Sequence, residues 1–240
     1  MTTTRIYLED DHCYETAALV VAIRDEAAAF DQTCFYPGGG GQPPDEGMIT
    51  FENGETLPIL SARADEDGLI WHFSASPWPA DLVGRTVRQA VNRERRSFLS
   101  RYHTVLHVLN TIALRDYDGW ITGVQIGADY SRIDFKLDGF SSALCPDMER
   151  KVNAVLAKNH PLMAYYLPEA EFRERNDLLR TLEVKPPVKE GRVRIVEIQG
   201  FDAQACGGTH VRATAEVGTF SIFRTENKGK INKRLYVRLA

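Results

Sequence analysis

Two pairs of side chains that commonly bind metal ions lie far apart in this chain. His103 and His107 form the first pair, and Cys206 and His210 form the second. Three imidazoles and one thiolate are a donor set that binds Zn²⁺ tetrahedrally. If the two pairs meet in space, the chain has a zinc centre and a candidate site for chemistry.

The spacing within each pair predicts how its members are positioned. Apolar residues recur with a period close to 3.6 from Val87 to Arg115, which predicts a helix. His103 and His107 would then project from the same helix face, because residues at i and i+4 are neighbours there. The Gly207-Gly208 pair disfavours a helix around Cys206, so we expect a loop that turns Cys206 and His210 towards one cation.

Each pair taken alone is also typical of ordinary packing. Even together, the four residues are compatible with a structural zinc ion whose coordination shell is closed by protein. The residue after His103 is Thr104, not the glutamate of a His-Glu-x-x-His motif, which argues against a metallopeptidase.

A resemblance to a known family extends over nearly the whole chain. It is carried by a glycine-rich segment (Phe35–Gly47), the two metal motifs (His103–His107 and Cys206–Val211) and a basic closing segment (Lys228–Arg234). These segments resemble motifs of the editing domain of alanyl-tRNA synthetase and of its free-standing relatives, the AlaX proteins. Arg132–Phe135 resembles a strand that the family has between the metal motifs. The chain is most similar to the medium-sized AlaX type.

The resemblance implies a trans-editing hydrolase with Zn²⁺ held by His103, His107, Cys206 and His210. Such enzymes remove serine, and in some cases glycine, from mischarged tRNA for alanine by ester hydrolysis. The residue that acts as general base stays unknown. Alternatives are a non-catalytic tRNA-binding module with a structural zinc, and editing of threonine tRNA, because the related threonyl-tRNA synthetase domain shares the metal motifs. A detached synthetase piece is disfavoured, because the chain leaves no room for an ATP-binding aminoacylation domain.

Candidate substrate-binding residues come from two places. The run Gly38–Gly41 is compatible with a simple turn, but in the family this motif lies beside the editing site. We therefore expect its polar residues and a polar neighbour to line the substrate pocket: Thr33, Gln42 and Asp45. Thr122 is the candidate that pairs with the serine hydroxyl, because a buried polar group favours a substrate that satisfies it.

Charge is unevenly distributed on a chain of net charge −4. Residues 85–101 contain six arginines and one acid, and residues 224–240 contain six basic residues and one acid. Solvated surface faces would explain such runs, but beside a metal site they favour contacts with the tRNA backbone. The candidate tRNA-binding residues are Arg96, Arg101, Lys228, Lys230 and Arg234.

Composition and turn signals predict an α+β protein of two domains. Short strands separated by Asn53-Gly54, Asp67-Gly68 and the glycine-rich stretch predict a small β-barrel in residues 1–85. Strands mixed with helices predict an editing domain in residues 86–240, with an antiparallel sheet and a long metal-bearing helix. The predicted strands are Arg5–Glu9, Ala17–Arg24, Met48–Phe51, Leu57–Arg63, Leu69–Ser74, Ser131–Leu137, Leu162–Leu167, Val193–Ile198, Val217–Phe223 and Leu235–Leu239, and a further helix is predicted at Pro146–Asn159.

Several features predict a cytoplasmic protein. No apolar run reaches about 18 residues, so no membrane-spanning helix is expected. Acidic residues Glu9, Asp10 and Asp11 argue against a secretory signal. The 4 cysteines show no disulfide-rich pattern, which fits a reducing compartment where Cys206 stays available as a ligand.

Overall fold

The structure is a computed structural model that describes residues 2–180, 188–229 and 231–240. The chain divides into two compact units. The first contains residues up to Gly39 together with Pro43–Phe98, and the second contains Gly40–Gln42 and the described residues from Leu99 onward. These units are defined by compactness, and the two domains expected at residues 1–85 and 86–240 stay a prediction.

The first unit is built around a closed antiparallel barrel. The strands of this unit are β1 (Thr4–Arg5), β2 (Glu15–Arg24), β3 (Ala27–Phe30), β4 (Gln32–Thr33), β5 (Gly47–Thr50), β6 (Thr56–Ala64), β7 (Ile70–Ser74) and β8 (Thr86–Val91). The strand order around the barrel is β2-β3-β7-β6-β5-β8, and a short parallel pair, β1 with β4, lies outside it. Alternate residues of β6 are buried, as expected for a strand with one face in a barrel core. The predicted N-terminal barrel is confirmed.

The second unit contains two antiparallel sheets. Their strands are β9 (Trp120–Ile126), β10 (Ser131–Lys136), β11 (Leu162–Pro168), β12 (Val188–Lys189), β13 (Arg192–Ile198), β14 (Asp202–Ala205), β15 (Phe220–Asn227) and β16 (Asn232–Leu239). One sheet has the order β15-β16-β10-β9, and in the other β13 pairs with β11, β12 and β14. The α-helices of the described residues are α1 (Arg93–Tyr117), α2 (Cys145–Leu156) and α3 (Glu169–Glu174). The predicted α+β class is confirmed.

Short 3₁₀ helices complete the described secondary structure. They are Ile6–Leu8, Ala80–Leu82, Ser142–Leu144, Asn176–Leu178 and Thr214–Val217. No helix in the described part of the chain combines the length and the apolar character needed to cross a membrane.

Helix α1 begins six residues later than the sequence pattern predicts, at Arg93 instead of Val87. Asn92 explains the start, because its Oδ1 accepts a hydrogen bond from the backbone N–H of Arg95 at 3.1 Å, which is an N-cap interaction. The preceding residues form β8, where Val87, Gln89 and Val91 are buried and alternate with more exposed neighbours. That alternation has period 2, and the apolar residues alone did not distinguish it from a helical pattern.

Other element predictions were wrong at particular places. Ile6–Leu8 forms a 3₁₀ helix where a strand Arg5–Glu9 was predicted. Residues 214–217 also form a 3₁₀ helix, so the strand predicted from Val217 begins at Phe220. The strands β3, β4, β9, β12 and β14 were not predicted; β3 is the all-apolar segment Ala27–Phe30, which shows no alternation.

Candidate metal centre

The four side chains predicted as metal ligands lie together in the second unit. One donor atom from each of His103, His107, Cys206 and His210 lies within 4.8 Å of every other. Cys206 Sγ is 3.4 Å from His103 Nε2 and 3.4 Å from His210 Nε2. The three histidines are buried, and Cys206 is partly exposed. This cluster could bind a metal ion.

The two pairs reach this cluster from different elements. His103 and His107 lie one helical turn apart on α1, as their spacing predicts. Cys206 follows β14 directly and begins the loop that leads to His210.

Arg194 on β13 holds the cysteine loop in place. Its guanidinium Nη1 donates to the carbonyl oxygen of Cys206 at 3.1 Å and to that of Gly208 at 2.9 Å. The backbone N–H of Cys206 donates in return to the Arg194 carbonyl at 3.1 Å. A buried arginine therefore satisfies carbonyls that no regular secondary structure satisfies.

Hydrogen bonds to the second ring nitrogen orient two of the imidazoles. His103 Nδ1 lies 2.8 Å from Gln42 Oε1, and His210 Nδ1 lies 3.1 Å from Thr104 Oγ1. An amide oxygen only accepts, so His103 must carry its proton on Nδ1. Nε2 of His103 is then left with a lone pair that faces the cluster, which is the tautomer that a metal ligand requires.

Gln42 is fixed by a small hydrogen-bond network. Its Oε1 also accepts from the backbone N–H of Thr209 at 3.1 Å, and its Nε2 donates to Thr209 Oγ1 at 2.9 Å. Ser100 Oγ lies 2.8 Å from the same Thr209 hydroxyl. Both ends of the Gln42 amide are thus engaged, so it cannot flip without losing contacts at His103.

Two glycines make these contacts sterically possible. A Cβ atom added to Gly208 would lie 2.2 Å from His103 Cε1 and 2.8 Å from Gln42 Oε1. Gly41 has φ +86°, and a Cβ there would lie 2.5 Å from the carbonyl oxygen of Val124 on β9. The Gly41 carbonyl also accepts from the backbone N–H of Ile126 at 2.8 Å. The last glycine of the run Gly38–Gly41 therefore lies against β9, with Gln42 next to it.

The electrostatic surroundings keep the imidazoles neutral. Burial, assisted by the positive charge of Arg194, lowers the pKa of His103 to about 4. Burial, assisted by neighbouring charges, also lowers the pKa values of His107 and His210 well below their ordinary value. The backbone N–H of Gly208 lies 3.4 Å from Cys206 Sγ, where it can donate to a thiolate. Neutral imidazoles and such a sulfur are nitrogen and sulfur donors of the kind that bind transition-metal ions.

A second polar network supports the helix at His107, and no sequence pattern indicated it. Gln204 on β14 donates to the His107 carbonyl at 3.1 Å and to Thr111 Oγ1 at 2.9 Å, and it accepts from Asn110 Nδ2 at 2.8 Å. Thr111 in turn donates to Asp202 Oδ2 at 2.8 Å. Because these residues are ordinary amides and hydroxyls, neither their type nor their spacing marked them.

Three residues predicted to bind substrate or tRNA are buried in the first unit. Thr33 Oγ1 lies 2.8 Å from His72 Nε2 and donates to Gln89 Oε1 at 2.8 Å. Arg96 and Asp45 form an ion pair in which both side chains are fully buried. All three side chains are fully buried and have partners, so their placement does not support a contact of Arg96 with RNA or of Thr33 and Asp45 with substrate.

The remaining predicted residues lie in the second unit. Thr122 is exposed on β9, beside the irregularity in its pairing with β10. Arg101 donates to the Val217 carbonyl at 3.0 and 2.8 Å, and Arg234 pairs with Asp134 at 2.6 Å. Lys228 is exposed, with Nζ 3.8 Å from a Glu226 oxygen. Lys230 lies outside the described residues.

Comparison with known proteins gives two kinds of similarity. Residues 193–236 match the family model described as the threonyl and alanyl tRNA synthetase second additional domain. The chain is 33% identical to alanyl-tRNA editing protein AlaX-M of Methanosarcina acetivorans, with 99% of each chain covered. It is 32% identical to the AlaX-M protein of Saccharolobus solfataricus, with 98% of each covered. An alanine–tRNA ligase of Methanosphaera stadtmanae is 35% identical over 88% of this chain, which spans 24% of that ligase.

Proposed function

The chain belongs to the AlaX-M family of alanyl-tRNA editing proteins, and from that premise we propose that it is a free-standing zinc hydrolase. Its substrate would be tRNA for alanine that carries the wrong amino acid, with serine as the first and glycine as the second substrate. A cytoplasmic location is part of the proposal, because charged tRNA is used there.

The observation that carries the proposal is the donor cluster with its two oriented imidazoles. His103, His107, Cys206 and His210 would hold the zinc ion. Gln42 and Thr104 would keep the ring nitrogens of His103 and His210 directed at it, as supporting residues do in zinc sites. Neutral imidazoles bind the ion at neutral pH without first releasing protons.

The reaction adds water across the ester between the acyl carbon and the ribose oxygen. A free amino acid and a tRNA with a free hydroxyl result. Bound zinc would supply a positive charge that polarises a carbonyl or a water. The chain's own contribution is to position the substrate and to keep the site rigid through Arg194, Gln42 and Gln204.

Thr122 is our candidate for recognition of the serine hydroxyl. It is exposed on β9, two residues before Val124, the residue that Gly41 contacts. Two residues along a strand correspond to about 7 Å. Thr122 therefore lies on the strand that Gly41 contacts, about 7 Å along it from Val124, and this supports a role in the substrate pocket. Serine would satisfy that hydroxyl, whereas alanine would leave it unpaired.

Contacts with tRNA would involve exposed basic residues of the closing segment. Lys228 is the most accessible of the described candidates. Arg234 retains its pairing with Asp134, so it would contact RNA only with its outer edge. Arg101 already donates to two backbone carbonyls, which assigns it first to holding the chain near Val217 and Ala240.

A deacylation assay tests the proposal. Zinc-loaded protein would be mixed with alanine tRNA charged with serine, glycine or alanine, and the remaining ester measured over time. We expect fast loss of the serine ester and little loss of the alanine ester. The Thr122→Val variant should lose about tenfold or more of its serine rate while its glycine rate changes little. Absence of hydrolysis of all three esters would contradict the enzymatic proposal.

A second candidate function is supported by the donor count. Four protein donors within 4.8 Å of one another are enough to close a tetrahedral shell, as in structural zinc sites. The chain would then bind tRNA without hydrolysing it. The same assay separates the two, and charged threonine tRNA in parallel would test the other substrate.

A further inference from the structure

Three aromatic rings form a cluster on the sheet with the order β15-β16-β10-β9. The ring centroid of Tyr130 is 5.8 Å from that of Phe223 and 5.8 Å from that of Tyr236, and the last two are 6.1 Å apart. Tyr130 is 42% exposed and Phe223 is 41% exposed. Exposed aromatic surface of this kind commonly marks a binding site.

Strand register places arginines on the same face as this cluster. Arg132 of β10 and Arg224 of β15 lie directly opposite Tyr236, one on each side. Directly opposed residues share a face of an antiparallel sheet. Arg234 and Arg238 lie two positions before and after Tyr236 on β16, so strand alternation puts them on that face too. The aromatic–arginine face is defined as Tyr130, Arg132, Phe223, Arg224, Arg234, Tyr236 and Arg238.

Two of these arginines stack on the rings. The guanidinium carbon of Arg238 is 4.2 Å from the ring centroid of Phe223, and that of Arg224 is 4.7 Å from the centroid of Tyr236. A planar cation over a ring is an attractive arrangement, and both flat surfaces can accept a further planar group. RNA-binding proteins recognise unpaired bases by stacking them on such rings and guanidinium planes.

The face also carries a surplus of positive charge. Arg234 is paired with Asp134, and Arg224 is paired with Glu226. In contrast, no acidic side chain of the described residues forms an ion pair with Arg132 or Arg238. A local excess of cations on a chain of net charge −4 indicates an anionic partner.

We propose that the aromatic–arginine face binds tRNA. Unpaired bases would stack on Tyr130 and Phe223, and phosphates would contact Arg132 and Arg238. The inference rests on the proposed function, because that function supplies tRNA as the partner. A protein partner would account for the aromatic surface, but the unpaired cations beside it favour a polyanion with planar bases.

Equilibrium binding of uncharged alanine tRNA to full-length, zinc-loaded protein tests this. Phe223→Ala should weaken binding about tenfold, because a stacking contact is lost. Arg238→Gln should lower the slope of log Kd against log salt concentration by about one, since one phosphate contact is lost. Both side chains are exposed, so we expect the variants to fold. If the Tm of Phe223→Ala drops, Phe223→Leu keeps the apolar bulk without the flat ring.

Matched controls come from exposed positions on other elements of the same unit. Arg150→Gln removes an exposed arginine from α2, and Met163→Ala removes an exposed apolar side chain from β11. We expect tRNA affinity and salt dependence to stay within twofold of the wild type in both.

The outcomes distinguish this inference from the function on which it rests. Failure of the wild type to hydrolyse any charged tRNA would count against the proposed function alone. Hydrolysis by the wild type, with unchanged tRNA binding in the Phe223 and Arg238 variants, would overturn the proposed face. Loss of self-association in those variants, measured by sedimentation with tRNA binding intact, would overturn it as well and would identify a second copy of the chain as the occupant.

Discussion

Both units of the described chain bury histidines, but the ring nitrogens of those histidines meet different groups. In the barrel unit, His72 Nε2 contacts Thr33 Oγ1, and the ring packs between Phe30 and Phe35. In the second unit, three imidazoles and a thiol direct their donor atoms at one another. Burial lowers the pKa of His72 and of His103 alike, to about 4 in each case.

The difference shows which property indicates a metal site. A lowered histidine pKa indicates burial, and buried histidines in both units have one. Among the residues that the structure describes, metal-binding donor atoms converge only in the cluster of His103, His107, Cys206 and His210. His72 therefore belongs to the barrel core, and His103 belongs to the candidate metal site.

The largest expected effect tests this assignment directly. His107→Ala should reduce bound zinc by about tenfold or more, because one of four donors is lost. His72→Gln, the matched change in the barrel, should leave bound zinc unchanged. Elemental analysis of purified, dialysed protein measures both. Equal zinc content in the two variants would contradict the distinction between His72 and the donor cluster. If His107→Ala folds poorly, Cys206→Ser provides a second test of the cluster.

A second prediction concerns the buried ion pair between Arg96 and Asp45 in the barrel unit. Asp45 accepts from Arg96 and from the backbone N–H of Tyr36 at 2.6 Å. Asp45→Asn leaves the buried guanidinium without its counter-charge, which should lower the free energy of unfolding by about 3–5 kcal/mol. Chemical denaturation measures this loss.

The exposed pair of Asp81 and Arg85 in the same unit serves as the control. Asp81→Asn should change the free energy of unfolding by less than about 1 kcal/mol. If both variants lose the same free energy of unfolding, burial is not the reason that the Asp45–Arg96 pair stabilises the protein.

A third prediction separates ligands from the residues that orient them. Gln42→Leu removes the acceptor for His103 Nδ1 and should weaken zinc binding about 10- to 100-fold without abolishing it. Gln42→Glu keeps an acceptor oxygen and should stay close to the wild type. Competition with a chelator measures the zinc affinity of each variant. Gln32→Leu, a change in the barrel unit, is the control and should leave zinc affinity unchanged. A purely structural role for Gln42 would predict that both substitutions lower Tm equally while zinc affinity stays constant.

The last prediction is a pH dependence of the stability of the barrel unit. The pKa of His72 is about 4 in the folded chain and about 6.5 when unfolded. The unfolded state therefore binds more protons below pH 6.5, so stability is present above that pH and is lost as the pH falls towards 4. This histidine contributes at most about 1.4 kcal/mol per pH unit. His72→Gln should reduce the slope of unfolding free energy against pH between pH 6.5 and 4, and an unchanged slope would contradict the assignment.

The members of the donor cluster were predictable from the sequence because metal chemistry restricts both residue type and spacing. Histidines four apart on a helix can meet one ion, and that constraint is visible in the residues themselves. The barrel was also predictable, since Asn53-Gly54 and Asp67-Gly68 separate its strands. Strand β8 was not, because Val87 and Val91 fit a helical and an alternating period equally well.

Burial of charged residues is the main difference between the sequence pattern and the structure around the predicted site residues. Arg96 belongs to a run of arginines that predicts a solvent-exposed face, yet its side chain is fully buried. The partner that makes this possible, Asp45, lies 51 residues away in sequence. A tertiary pairing of that range leaves no local pattern, and the same holds for Gln42, whose partner His103 is 61 residues away.

Gly208 has a consequence for how the site can change over time. Its missing side chain leaves the space that the His103 ring and the Gln42 amide occupy. A larger residue at position 208 would require a smaller or differently shaped side chain at positions 42 and 103 at the same time. A single substitution of Gly208 is therefore expected to disrupt the site, and positions 42, 103 and 208 should change together during evolution.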